Sequence, residues 1–207
     1  METNVQSNIV IAGASHLTKK PQDTPLNVIE LMCEATQKAT EDAGNDAILS
    51  VVDQIIVPQG TWAISNPGGL VAQYLGIQAK SIIYNIGILQ SSLIKRAIED
   101  VSASKSRCTL IVGGEAKNYE RHASESLNPI PTLSDSRKQE SAEFIHPSEL
   151  PISRYEIDMG LIGAPDQYAL IENSYAHAHK LTREDHQELI NSEWQEMARI
   201  ADSIPFS

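Results

Sequence analysis

Short continuous runs of apolar residues alternate, in the first part of the chain, with stretches in which apolar residues recur every three or four positions. Four runs have the length of a strand, and they lie at 8–13, 51–57, 80–86 and 108–112. Three stretches have helical spacing, and they lie at 25–44, 66–75 and 90–103. Continuously apolar strands that alternate with helices are typical of a parallel sheet covered on both faces. The pattern therefore predicts an α/β domain over residues 1–116.

Polar and special residues mark where these helices begin and end. Thr24 before Pro25 is typical of a helix start, and Gly44 is suited to a helix end. Asn66 before a proline predicts the start of the second helix, and Gly76 predicts its end.

The composition of the sequence changes after residue 116. Residues 117–155 are polar and rich in Ser, Glu and Pro, which predicts either an extended excursion over the surface or a partly mobile segment. Helical spacing returns over 165–201, where Thr182 followed by Asp185 is a variant of the capping box. The sequence thus predicts a second domain, 117–207, made of an extended polar segment and then helices.

Composition narrows the classes of function. The 207 residues carry a formal net charge of −11, which disfavours binding to nucleic acid. No apolar run is long enough for a membrane span, and the first residues lack the basic flank of a signal peptide, so we expect a cytoplasmic protein. An anionic ligand would need a local basic patch or a helix N-terminus.

Cysteine and histidine give no pattern of a metal site. Cys33 and Cys108 are too few for a structural zinc site or a disulfide framework, and both fall on predicted apolar elements, so we expect small core residues. His177, His179 and His186 lack a convincing set of further ligands, and we expect surface side chains and no metal.

Several local patterns occur in an order that resembles a known family. They are the strand, turn and helix at 80–101 followed by the strand at 107–116 with its Gly113-Gly114-Glu115 turn, the segment Asp158-Met159-Gly160, and the helix pattern at 181–192. Together they resemble the N-terminal half of the thiolase superfamily. The segments 146–149 and 168–172 are more similar to its divergent, sterol-carrier-thiolase-like branch.

The resemblance implies a layered α/β fold with a helical loop domain, and a coenzyme A thioester as substrate, with no further cofactor. In the family the turn before the central helix carries a nucleophilic cysteine, and that position falls at about Gly87. Neither Gly87 nor Ile88 can attack an acyl group, so we predict no catalytic residue in this chain. The resemblance implies substrate-binding roles for Met159, Gly87 and Ile88.

Each of these residues also has a structural interpretation. Gly87 could hold an acyl carbonyl near backbone N–H groups, or could serve only the geometry of a tight turn, which we favour. Ser91 and Ser92 could replace the missing nucleophile, but we expect them to cap the helix.

Three further residues leave two interpretations open. Met159 could line an acyl pocket or fill a gap between apolar side chains. Glu115 could act as an acid or base, although a structural turn is favoured. Trp62 is expected in a loop at the carboxyl edge of the sheet, either near a ligand or at an interface.

We therefore expect an N-terminal subunit or fragment of an acyl-CoA acyltransferase, or of an enzyme that forms or cleaves carbon–carbon bonds, incomplete on its own. Its expected partners are a second copy, through the edge of the strand at 81–86, and a chain that carries the second half of the fold. A scaffold subunit that keeps the fold without catalysis is the alternative. An unrelated α/β enzyme is a third, which no phosphate loop or catalytic triad supports.

Overall fold

The structure, a computed structural model, describes residues 9–20, 23–122, 129–138, 141–149 and 152–203. The chain divides into two compact units, Met1–Ser148 and Glu149–Ser207. The helices described in the first unit are α1 (Val28–Asp42), α2 (Pro67–Leu75), α3 (Gln90–Ser102), α4 (Lys117–His122) and α5 (Asp135–Lys138). The strands described there are β1 (Gln54–Pro58), β2 (Lys80–Tyr84), β3 (Thr109–Ile111) and β4 (Glu143–Ile145), and a 3₁₀ helix spans Asp46–Val51. The second unit contains α6 (Arg154–Asp158), α7 (Ala164–His179) and α8 (Arg183–Asp202).

Within the described residues, four strands form one sheet in the order β3-β1-β2-β4, and every neighbouring pair is parallel. Gln54 of β1 lies opposite Lys80 on one side and Thr109 on the other. Parallel strands need crossover connections, and α2 and α3 supply two of them. The predicted α/β class is confirmed.

Helices cover both faces of this sheet, because successive side chains of a strand point to opposite sides. Ile55 and Val57 of β1 pack against α1 and α2. Ile56, between them, packs with Ile82 and Leu93 on the face covered by α3.

The predicted limits of the second helix are confirmed. The side chain of Asn66 accepts a hydrogen bond from the Gly69 amide at the start of α2, and Gly76 follows the helix in the left-handed conformation. The predicted start of α1 at Thr24 is wrong. Asn27 caps this helix and forms a capping box with Glu30, because an amide side chain beside a free helix N-terminus satisfies two amide donors at once.

The strand predicted at 8–13 is also wrong for its described part, since residues 9–13 form neither helix nor strand; Asn8 lies outside the described residues. Val10 and Ile11 are 74% and 80% exposed. The residues that follow bind α1: the amide of Ala14 donates to Asp42 and the hydroxyl of Ser15 donates to the carbonyl of Ala35. An apolar run becomes a strand only where another strand is available to pair with it.

The strand β4 was not predicted, and it comes from the polar stretch after residue 116. It pairs with Ile82–Tyr84 of β2 and so extends the sheet at that edge. The side chain of Glu143 binds Lys80 and Arg96, two cations far away in the sequence. The first unit consequently extends to Ser148, whereas the sequence placed the boundary after residue 116.

The second unit, taken by itself, is helical. The predicted capping box is confirmed, since Thr182 and Asp185 exchange hydrogen bonds at the start of α8. The side chains of His186 and Glu172 join α8 to α7 at 2.8 Å. No residue of α6, α7 or α8 is buried. None of the helices in the described ranges combines the length and the apolar character needed to cross a membrane.

Candidate functional site at the carboxyl edge of the sheet

The carboxyl ends of the strands meet at one edge of the sheet. The connection through α2 places β2 on one side of β1, and the connection through α3 places β3 on the other side. Open α/β sheets bind ligands at the carboxyl edge where such connections diverge. The residues that follow the strands there are Gln59, Asn85, Val112 and His146.

The corner between β1 and β3 is filled by a buried aromatic side chain. The ring nitrogen of Trp62 donates to the carbonyl of Gly114 at 3.0 Å. Glu115 accepts hydrogen bonds from Thr61 through both carboxylate oxygens, at 2.8 and 2.9 Å. Trp62 therefore lies in the loop at the carboxyl edge, as predicted. The hydrogen bonds of Glu115 favour the structural interpretation of that residue over an acid–base role.

The turn between β2 and α3 requires glycine. Gly87 has a φ of 101°, in the left-handed region that side chains disfavour. The next amide, that of Ile88, donates to the carbonyl of Asn85 at 3.3 Å. The side chain of Ile88 packs against the apolar cluster beneath α3. Gly87 and Ile88, two of the three predicted substrate-binding residues, thus lie in one tight turn. These two residues can offer a ligand their backbone groups.

No side chain of the described residues caps α3 at its N-terminus. The N-cap is Leu89, which is 76% exposed, so the prediction that Ser91 and Ser92 cap this helix is wrong. A side chain caps a helix from the residue before the first turn, whereas both serines lie inside it. The amide of Ser92 donates to the carbonyl of Leu89 at 2.9 Å. The amides of Gln90 and Ser91, which precede it, point toward the Gly87 turn, as the first amides of a helix do.

A polar pair lies beside this turn, and the sequence did not indicate it. The amide nitrogen of Asn85 lies 2.8 Å from Nδ1 of His146, and the backbone amide of Asn85 donates to the carbonyl of Ile145. His146 follows β4, so predicting the pair would have required predicting that strand. The exposed side chains of Ile86 and Leu89 give the rest of the rim an apolar character.

An ionic network fixes α3 and β4 to the sheet. Nε of Arg96 lies 2.5 Å from Asp100, which is 3% exposed, and both terminal nitrogens of Arg96 lie 3.3 Å from Glu143. Burial would raise the pKa of Asp100, but hydrogen bonds from Arg96 and Gln54 outweigh it and lower that pKa. The hydrogen bond from Lys80 is the main reason that the pKa of Glu143 is lowered. Arg96 is therefore engaged within the protein.

The two thiols lie away from the turn. Cys33 lies on the buried face of α1, and burial raises its pKa to about 12. Cys108 is half-buried, and burial followed by the charge of Asp53 raises its pKa. Cys33 is a small core residue, as predicted, and neither thiol has the lowered pKa of a nucleophile.

Met159, the third predicted substrate-binding residue, belongs to the second unit. It follows α6 as the C-cap residue and is 61% exposed. Of the three histidines considered for a metal, His186 binds Glu172, and the ring of His179 lies 4.3 Å from that of Tyr175, centroid to centroid. Among the residues that the structure describes, no group of three His, Cys, Asp or Glu side chains is placed to hold a metal ion.

A cavity of about 540 Å³ lies elsewhere in the first unit, and Asp53, Asn66, Lys80 and Ser81 contribute to its lining. Asp53 is held by Ser106 and Arg107, and Lys80 is held by Glu143. None of the predicted substrate-binding residues lines this cavity, so the carboxyl edge remains the candidate site.

Comparison of the chain with protein-family models, with curated proteins and with solved structures finds no match in any of the three.

Proposed function

We propose that this chain provides the first layer of a thiolase-like acyl-CoA site, as a subunit or the first part of an acyltransferase or of an enzyme of carbon–carbon bond chemistry. The observation that carries the proposal is the β2–Gly87–α3 turn at the carboxyl edge of a parallel sheet, where no side chain of the described ranges caps the N-terminus of α3. The resemblance of the sequence to the thiolase superfamily supplies the substrate class.

The electrostatics of this turn suit an acyl thioester. Free amides at the start of α3 can donate to a thioester carbonyl or to a phosphate group, and the helix dipole adds a positive potential there. A chain with a net charge of −11 needs such a local feature if it is to bind the anionic coenzyme A. The exposed side chain of Ile86 offers apolar surface to an acyl chain.

The chemistry of acyl transfer would need groups from outside this turn. Gly87, Ile88 and Leu89 carry no nucleophile, acid or base. In this proposal the backbone of Gly87 and Ile88 orients the thioester. A partner chain with the second half of the fold supplies the nucleophile and the general base.

The structure bears on one of the proposed partners. The edge of β2, through which we expected two copies to associate, is paired with β4 over Ile82–Tyr84. A dimer through this edge would therefore require β4 to move away.

The decisive experiment alters the start of α3. Asparagine at position 89 would cap the helix with its own side chain and so compete with a ligand for the free amides. We expect Leu89→Asn to stabilise the chain by about 1 kcal/mol and to weaken acetyl-CoA binding about tenfold or more. The control variant, Leu89→Ala, removes the same apolar side chain without adding a cap. It should leave acetyl-CoA binding within about twofold, since alanine caps poorly.

Binding should be measured by calorimetry on the native complex, isolated from its source and with its chains identified by mass spectrometry. Equal losses of acetyl-CoA affinity in both variants would mean that the side chain of Leu89, and not the helix N-terminus, contributes to binding. Binding of acetyl-CoA to the isolated chain would contradict a site shared with a partner.

A scaffold subunit without catalysis is the second candidate. The observation that favours it is the composition of the turn, where the exposed positions Ile86 and Leu89 are apolar and none carries a reactive group. This alternative predicts no affinity for acetyl-CoA, either in the isolated chain or in the complex.

A further inference from the structure

Two features of the first unit that are suited to pairing have no partner within the described residues. The first is the apolar run Ile9–Ile11, which forms no strand. The second is the outer edge of β3, which pairs with β1 on its inner side and with no strand on the other.

The run is held in a position that exposes it. Among the described residues, no backbone hydrogen bond from Ile9, Val10 or Ile11 is present. Contacts just after the run bind the chain to α1, through Ala14 to Asp42 and through Lys19 to Glu34 at 2.8 Å. The run is thus anchored at one end and presents three side chains of high β-propensity to solvent.

The edge is apolar as well as unpaired. Ile111 lies opposite Ile56 in the sheet and so shares the face that α3 covers. Its side chain is half-exposed, as are those of Ile94 and Ile98 on α3. A sheet edge with free N–H and C=O groups beside an apolar surface readily accepts a strand from another chain.

We propose that a second copy of this chain places its run Ile9–Ile11 along the β3 edge, and that the exchange is reciprocal. The same molecule carries an unpaired edge and an unpaired apolar run of matching length, which makes two copies self-complementary. This interface is separate from the candidate site and does not depend on the proposed function.

The charges beside the two features favour an antiparallel arrangement. Lys105 and Arg107 are largely exposed just before β3, although each forms an ion pair with an acidic residue of its own chain. Glu41 and Asp42 are exposed at the end of α1, and Asp42 accepts a hydrogen bond from the amide of Ala14 just after the run. Antiparallel pairing brings the end of the run to the start of β3, and so brings the acidic pair toward the basic pair. Parallel pairing would separate them.

Sedimentation equilibrium tests the proposal with three variants. We expect the native chain to dimerise, and we expect Ile11→Glu and Ile111→Glu each to raise the dissociation constant about 100-fold or more, because each change occurs twice in a symmetric dimer. The control is Ile162→Glu, the same change at a residue of the second unit that is 58% exposed. It should leave the constant within about twofold. A native chain that stays monomeric, or a dimer indifferent to both variants, would overturn the proposal.

Disulfide cross-linking tests the arrangement without relying on a loss of affinity. Antiparallel pairing with the two segments centred places Ile9 of one copy opposite Ile111 of the other. In a Cys108→Ala background, a mixture of Ile9→Cys and Ile111→Cys chains should form a covalent dimer under mild oxidation. Neither variant alone should do so. Cross-linking restricted to a mixture of Ile11→Cys and Ile111→Cys chains would overturn the antiparallel pairing.

Discussion

The two faces of the sheet differ in how completely they are covered. On the face packed by α1 and α2, Ile29, Met32 and Val71 are fully buried. On the opposite face α3 buries Leu93 but leaves Ile94 and Ile98 half-exposed. One face therefore has a finished core, while the other has an apolar surface that further protein could cover. The stability of the chain should come mainly from the first face, and its interactions from the second.

The largest expected effect comes from truncating side chains on both faces. Ile29→Ala creates a cavity in the finished core and should lower the free energy of unfolding by about 3 to 4 kcal/mol. Ile98→Ala, the matched change on the other face, should lower it by less than about 1 kcal/mol, because solvent already reaches this side chain. Urea unfolding measures both values. Similar losses would show that the two faces contribute equally.

The second-largest expected effect on stability concerns the ionic network that fixes α3 to the sheet. The pKa of Asp100 is lower in the folded chain than its ordinary value of 3.8, so its ion pair stabilises the fold fully above about pH 4. This contribution is lost as the pH falls through the folded pKa, because the folded state must then take up the proton. Asp100→Asn should cost about 2 to 3 kcal/mol at pH 7.

Unfolding free energies measured between pH 3 and pH 7 test this prediction. The variant should depend less on pH than the native chain in the acidic part of this range. The exposed carboxylate Asp158, which pairs with Arg154, provides the control, and Asp158→Asn should change the free energy of unfolding at pH 7 by less than about 1 kcal/mol. A native profile that Asp100→Asn does not flatten would contradict the role of the network.

The smallest expected effect concerns an unsatisfied hydroxyl group on the face of the sheet that α1 and α2 cover. The hydroxyl of Ser81 is buried without a hydrogen-bond partner in the described part of the chain, under Gly68, where a β-carbon would lie 2.4 Å from it. Ser81→Ala should raise the free energy of unfolding by about 1 kcal/mol, since it removes an unsatisfied polar group.

Ser106→Ala is the matched control for this change. Ser106 is also buried, but its hydroxyl donates to Asp53 at 2.6 Å, so its removal should destabilise the chain. Thermal unfolding should therefore shift in opposite directions for the two variants. A loss of stability in Ser81→Ala would mean that its hydroxyl has a partner after all.

The sequence predicted the parts of the fold that depend on near neighbours. Asn66 and Gly76 limit α2, and Thr182 with Asp185 starts α8, because each cap is satisfied within a few residues. The start of α1 was misplaced because Thr24 offered a similar signal three residues before Asn27.

The parts that depend on distant residues were not predicted. β4 is held by Lys80 and Arg96, which no local pattern around Glu143 reveals. The run at 9–13 has the composition of a strand, but strand formation depends on a partner that local sequence does not report.

The candidate site also has one part that local sequence predicts and one part that depends on distant residues. A glycine turn at position 87 followed by a helix could be predicted, because the conformation and the residue type are coupled locally. The pair Asn85 and His146 could not, because it forms only when β4 joins the sheet.

The two thiols allow local and global unfolding of the chain to be followed separately by alkylation. Cys33, with a pKa of about 12 and a place in the finished core, stays unmodified by alkylating reagents until α1 separates from the sheet. Cys108, half-buried just before β3, becomes reactive once that edge alone loosens. In a chain without substitutions, the delay between the labelling of Cys108 and the labelling of Cys33 thus measures how long before global unfolding the β3 edge opens.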